Sequence, residues 1–234
     1  MTASRTIETI DDLVRTFRFL KQAGCPGFAC SEENLARLEN WGKTRSWSDR
    51  QTLPGIQAEL GNCQRCRLAQ TRKLIVFGDG NPRARLVFVG EAPGYEEDLK
   101  GEPFVGPAGR LLTKIIHAIK MDREAVYILN VLKCRPPQNR NPFPDEVETC
   151  SAFMHKQIRS IAPEFICALG KFAAQTLLQT DQPISRLRGQ FFDYQGIQLL
   201  PTFHPSYLLH NPGKKREVWQ DMQKLMAAMK KSKK

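Results

Sequence analysis

Cys63-Gln-Arg-Cys66 is the first place in this sequence where residue type and spacing suggest chemistry. A C-x2-C turn lets two sulfurs face one centre. Cys134 and Cys150 follow as a downstream pair. Four thiolates can hold a tetrahedral zinc or an iron–sulfur cluster, and ligand count alone does not separate the two. The competing structural reading is a pair of buried thiols plus an unrelated pair. Cys167 lies in an apolar run and reads as core. Cys25 and Cys30 form a C-x4-C spacing without a second pair nearby and read as incidental or structural thiols. The total of seven is odd, so complete disulfide pairing is impossible.

Three further segments carry polar groups suited to a site. Gly90-Glu-Ala-Pro-Gly94 follows an apolar run but is not a phosphate loop. It lacks the terminal Lys-Ser/Thr, and Glu91 would repel phosphate. Asn130 ends another apolar run. Its carboxamide edge matches N3–H and O4 of uracil, whereas cytosine presents the opposite pattern; an Asn that merely terminates a strand is the structural alternative. His204, before Pro205-Ser206-Tyr207-Leu208, can donate to a developing anion, or be an ordinary loop histidine. Phe104 can stack on a base or belong to the core. Arg135-Pro-Pro-Gln-Asn-Arg140 reads as a rigid basic loop able to meet phosphate.

Strands and helices must position these groups, and from about Leu53 onward the two alternate. Strands are expected at Leu86–Val89, Tyr127–Leu132, Phe165–Leu169 and Gln198–Phe203. Helices are expected at Gly109–Ile119, Pro144–Ile161, Lys171–Leu178 and Arg216–Met229. Such alternation implies a parallel sheet covered on both faces, with ligands beyond the carboxyl ends of its strands. That rule selects Gly90–Asp98, Asn130–Pro137 and His204–Pro212. Residues 1–50 read differently. Ile10, Leu13, Val14, Phe17 and Leu20 suit an amphipathic helix, a second short helix is expected at Glu32–Trp41, and a polar linker follows. The domains expected are this helical extension over 1–50, an α/β domain over 53–229 and a basic tail over 230–234.

Composition narrows the class. Apolar residues at 41% and charged residues at 25% fit a globular chain and argue against wholesale disorder. No apolar run approaches the roughly 20 residues of a membrane span, and the N-terminus lacks a secretory pattern; no membrane association and a cytoplasmic location are expected. Lys plus Arg exceed Asp plus Glu by 35 − 24, or +11. That excess favours a polyanionic partner.

Taken in order, these segments resemble one family. Gly90–Gly94 with Pro103-Phe-Val-Gly-Pro-Ala-Gly-Arg-Leu-Leu112 is similar to the first motif region of the family 4 uracil-DNA glycosylases. Asn130–Arg140 and His204–Ser206 resemble two further motifs, and Cys63, Cys66, Cys134 and Cys150 match the family's iron–sulfur ligands. The resemblance spans about Leu53 to Lys224.

It implies a three-layer α/β/α sandwich with a four-stranded parallel sheet and a structural [4Fe–4S] cluster. It also implies hydrolysis of the N-glycosidic bond of flipped-out deoxyuridine in single- or double-stranded DNA, by a monomer. Gly90, Glu91, Ala92, Glu97, Phe104, Asn130 and His204 would bind uracil. Phe104 would stack on the base, Asn130 would read its edge, His204 would donate to O2, and Glu97 would exclude the thymine methyl group. Arg135, Arg140, Ser206, Tyr207 and Leu208 would face DNA, with Tyr207 or Leu208 as a wedge. Family 1 enzymes offer an aspartate where this sequence has Ala92, which leaves Glu91 as the nearest carboxylate for positioning water. Three alternatives stay open: a non-catalytic iron–sulfur DNA-binding module, a glycosylase for another deaminated base, and a zinc-stabilised hydrolase.

Overall fold

A computed structural model describes residues 51–232. The helices expected within 1–50, together with Cys25 and Cys30, lie outside the described residues.

The described chain opens with α1 (Leu53–Leu60), capped by Thr52 and ended at Gly61. Then follow β1 (Asp79–Gly80), β2 (Leu86–Gly90), α2 (Tyr95–Lys100), α3 (Pro107–Ala118) and β3 (Tyr127–Asn130). The second half runs α4 (Pro144–Ile161), β4 (Phe165–Leu169), α5 (Gly170–Leu178), α6 (Ile184–Leu187), β5 (Phe192–Tyr194), β6 (Ile197–Thr202), α7 (Pro205–His210) and α8 (Lys215–Lys231).

The sheet order is β1-β3-β2-β4-β6-β5. β3, β2, β4 and β6 are mutually parallel, as expected. The four-stranded sheet expected is therefore the interior of a six-stranded one, because β1 and β5 add short antiparallel edges. Both were illegible for a physical reason. β1 is two residues long, and β5 returns to β6 through Gln195-Gly196, both at positive φ, a tight-turn geometry that carries little hydrophobic signal.

Side chains alternate along the strands, which divides the core in two. Val87, Val89, Leu129, Ile166, Ala168 and Leu199 pack against α4 and α5. Leu86, Phe88, Ile128, Phe165, Cys167 and Leu200 pack against α3 and α8. β2, β3 and β4 are buried along their full lengths, as a sheet covered on both faces requires. This is the expected α/β/α sandwich, and Cys167 is core.

The layers leave three strand ends open on one side. Gly90 and Asn130 are register partners at the ends of β2 and β3. β6 ends two residues before His204.

Candidate active site

A cleft of about 220 Å³ lies beyond these strand ends, lined by Glu91, Ala92, Glu97, Phe104, Asn130 and His204 among others. Gly90 ends β2 beside two of these lining residues. A Cβ there would collide with Asn130 Oδ1 and the Phe104 ring, so glycine is what lets carboxamide and ring converge.

Asn130 is 1% exposed, and its Oδ1 has no hydrogen-bond partner. His204 Nε2 is likewise buried and unpartnered. Buried polar atoms nearly always find partners. Two orphans lining one cleft therefore mark a ligand position. The Phe104 ring lines the same cleft, its centroid 5.6 Å from that of His204. Phe104 sits at φ 52°, in the left-handed region. Gly109 holds it there, since any Cβ on Gly109 would strike the Phe104 carbonyl. Strain of this kind persists where the surroundings over-determine it.

His204 Nδ1 accepts the Ser206 backbone N–H at 3.2 Å and lies 2.7 Å from Ser206 Oγ. The ring hydrogen of the neutral imidazole is thus on Nε2, facing the cleft. Burial pushes the ring down to about 4, so it is a neutral donor at neutral pH. Burial pushes the Glu91 carboxyl up to about 7. That places its ionisation where a general base works best. Ala92 lines the cleft without a polar group.

Glu97 holds the cleft wall together. Its carboxylate accepts the backbone N–H groups of Gly94, Val105 and Gly106 at 3.1, 2.9 and 2.8 Å. It lines the cleft with its oxygens already engaged.

The residues expected to face DNA divide. Tyr207 is 41% exposed, but Leu208 is 1% exposed and packs with Val218 and Met222 in the core. The Leu208 wedge is therefore corrected: it is an anchor, and the exposed apolar neighbour is Leu209. Helical spacing on α7 turns Leu208 inward and its neighbours outward. Ser206 is exposed yet bonded to His204. Arg140 is bidentate with the fully buried Glu146, at 2.6 and 2.9 Å. Arg135 instead bonds Asn139 Oδ1 at 2.7 Å. Sequence reasoning missed Pro136, Asn139 and Ala108 as cleft-lining residues. Only the loop's prolines hinted at its rigidity.

The four cysteines of the expected ligand set are all free. Burial pushes the Cys134 thiol up to about 12 and raises that of Cys150, and neighbouring cysteines add to both effects. Arg65 donates to Cys63 Sγ at 3.3 Å, Arg72 to Cys134 Sγ at 3.5 Å, and the Lys133 backbone N–H to Cys150 Sγ at 3.2 Å. Donors on sulfur stabilise thiolate ligands. Among the described residues, no three His, Cys, Asp or Glu side chains converge on a single metal ion. Lys133, buried completely, donates from Nζ to the Asn130 carbonyl at 2.8 Å. It thus joins the sulfur neighbourhood to the cleft.

Fold and cleft together define a class: residues 77–223 match the model of the uracil DNA glycosylase superfamily. The chain is 43% identical to the type-4 uracil-DNA glycosylase of Archaeoglobus fulgidus over 75% of this chain and 92% of the relative. It is 44% identical to that of Thermotoga maritima over 75% and 94%. A type-5 uracil-DNA glycosylase of Pyrobaculum aerophilum is 27% identical over 77% and 91%. The chain belongs to the type-4 uracil-DNA glycosylases.

Proposed function

We propose that this protein hydrolyses the N-glycosidic bond of deoxyuridine in DNA, releasing uracil and leaving an abasic site for repair. The observation that carries the reading is the pair of buried, unpartnered atoms, Asn130 Oδ1 and His204 Nε2, lining one cleft.

A duplex hides the reacting bond, so the nucleotide must be extruded at a cost of a few kcal/mol. Phosphate contacts and stacking supply that energy. Phe104 stacks on the flipped base. Asn130 Oδ1 accepts N3–H and the amide nitrogen donates to O4, a pairing that cytosine reverses. His204 Nε2–H donates to O2 as negative charge develops on the departing base. In a dry cleft such a donor is worth ~3 kcal/mol. Glu91 orients the water that attacks C1′ and takes up its proton. Glu97 acts on specificity by fixing the backbone at Gly94, which lines the cleft, and at Val105 and Gly106, next to Phe104 in the chain.

Cys63, Cys66, Cys134 and Cys150 are proposed to hold a [4Fe–4S] cluster. The order of the four free thiols along the chain and the donors on three of their sulfurs support this. When bound, such a cluster would be a structural tie, with Cys63 and Cys66 holding it from their turn, Cys134 from the segment after Asn130 and Cys150 from α4. Residues 1–50 are proposed as an extension outside the catalytic domain of 53–229, and 230–234 as a basic tail. The partner is uracil-containing DNA, single- or double-stranded, acted on by a monomer in the cytoplasm.

The test is anaerobic incubation with an oligonucleotide carrying one uracil, followed by alkali and a denaturing gel. Cleavage at uracil, but not at thymine or cytosine in matched strands, is expected. No cleavage by protein of confirmed iron and sulfide content would overturn the reading.

A further inference from the structure

Arg135 and Arg140 belong to the same short loop and meet different fates. Arg140 stacks on Phe143 with its carbon Cζ 3.8 Å from the ring centroid, and Glu146 neutralises it. Arg135 lies over the Tyr95 ring at 5.0 Å. Its Nε is held by Asn139, a neutral acceptor, and among the described residues no carboxylate forms an ion pair with it. Glu96, beside Tyr95, is turned to Arg110 at 3.6 Å. The Tyr95–Arg135 pair therefore keeps its positive charge.

It is also open and preformed. Tyr95 is 54% exposed, the most exposed of the large apolar and aromatic side chains described. The loop under Arg135 is set by Pro136 and Pro137 and by two left-handed residues, Gln138 and Asn139, both at φ 56°. Little entropy remains to be lost on binding there. The pair adjoins the uracil cleft on both sides. Gly94 precedes Tyr95, Pro136 follows Arg135, Asn139 accepts from Arg135 Nε, and all three line that cleft.

We propose that Tyr95 and Arg135 form a second nucleotide subsite, on which the base next to the flipped uracil stacks. This rests on the uracil reading above. An aromatic face presents a sequence-tolerant stacking surface to any base, and a planar guanidinium adds cation–π attraction and phosphate affinity. An extruded uracil leaves its strand neighbour unstacked. A platform at the cleft mouth would recover that loss, and most fully on single-stranded DNA, where no complementary strand competes for the base.

The experiment uses single-stranded oligonucleotides with one uracil, in which the 5′ or the 3′ neighbour is replaced by a stable abasic analogue. With the full-length wild-type protein, removing one of the two neighbouring bases should lower kcat/KM about tenfold, ~1.4 kcal/mol at 25 °C. Tyr95→Ala should lose a similar factor on the intact strand and nothing further when that neighbour is missing. Tyr95→Phe should behave as wild type. Arg135→Lys, which keeps the charge and removes the plane, should resemble Tyr95→Ala. Uracil release indifferent to both neighbours, or independent losses from Tyr95→Ala and the missing base, would overturn the subsite alone. Absence of release from every strand would sink the parent reading, and this one with it.

Discussion

At the scale of single residues, burial sets protonation and protonation sets role. His204 is held neutral, with its ring pushed down to about 4, while the Glu91 carboxyl is pushed up to about 7. If Glu91 must be ionised to orient water, kcat/KM should climb with pH and level off above about 7. His204 should add no second limb between about pH 5 and 8. Glu91→Gln should lower the plateau and abolish the limb; a limb that survives in that variant would assign water activation elsewhere. Stability reads the same burials with opposite signs. A carboxyl raised from 4.5 to about 7 makes the fold less stable as pH rises through that window. Glu91→Gln should therefore raise Tm at pH 8 and leave it unchanged near pH 4. The depressed His204 contributes stability that is lost as pH falls from 6.5 towards 4. His204→Ala should cost about 10²–10³ in kcat, as loss of one preorganised donor does. Asn130→Ala should relax the choice of base, checked on uracil, thymine and cytosine strands.

At the scale of elements, the site depends on joints between strand ends and loops. Glu146, in the first turn of α4, is wholly buried and accepts from Arg140 and from the Phe143 backbone. It ties the 135–143 loop to α4, and that loop carries Pro136 and Asn139 into the cleft wall. Arg140→Ala leaves the Glu146 carboxylate without its cation, and the denaturation midpoint should fall. Arg140→Met paired with Glu146→Leu should recover most of the loss, because an apolar pair leaves no orphan charge. An Arg140→Ala variant of unchanged stability but weakened DNA affinity would return Arg140 to the phosphate contacts expected from sequence. A similar joint pins β6 to α8: Asp221, 1% exposed, accepts from Thr202 at 2.7 Å and from Nε and Nη2 of Arg188. It sets the strand end from which His204 departs.

At the scale of the molecule, charge and the sulfur neighbourhood act on everything at once. A formal excess of +11 should make DNA affinity fall with salt. The slope should be near −0.7 per single-strand phosphate contacted. Free uracil, being neutral, should bind with little salt dependence, and titrations of both ligands over a salt series would separate the two contributions. If the four thiols hold the proposed cluster, removal of its iron should free the Cys63–Cys66 turn and the Cys134–Cys150 segment together. Hydrogen exchange should then rise around residues 61–72 and 131–135, with loss of activity, while the β2–β4 core stays protected. Retained protection in an iron-free sample would show that the thiols hold the fold without metal.

The order of motifs, the alternation of strand and helix, the parallel strands and the cleft at their carboxyl ends were all written locally, in apolar periodicity and in short runs such as Gly90–Gly94 and His204–Ser206. These follow from the chain itself because periodicity and backbone preference act over a few residues. The tertiary structure decided what long-range packing decides. It buried Leu208 and exposed Leu209, gave Arg140 to Glu146 while leaving Arg135 over Tyr95, engaged Glu97 with three backbone amides, and put the His204 hydrogen on Nε2. It also left Asn130 Oδ1 and His204 Nε2 without partners in one cleft. Which polar atom stays unpaired, and which carboxyl is desolvated, depends on neighbours far away in sequence, and no local pattern carries that information.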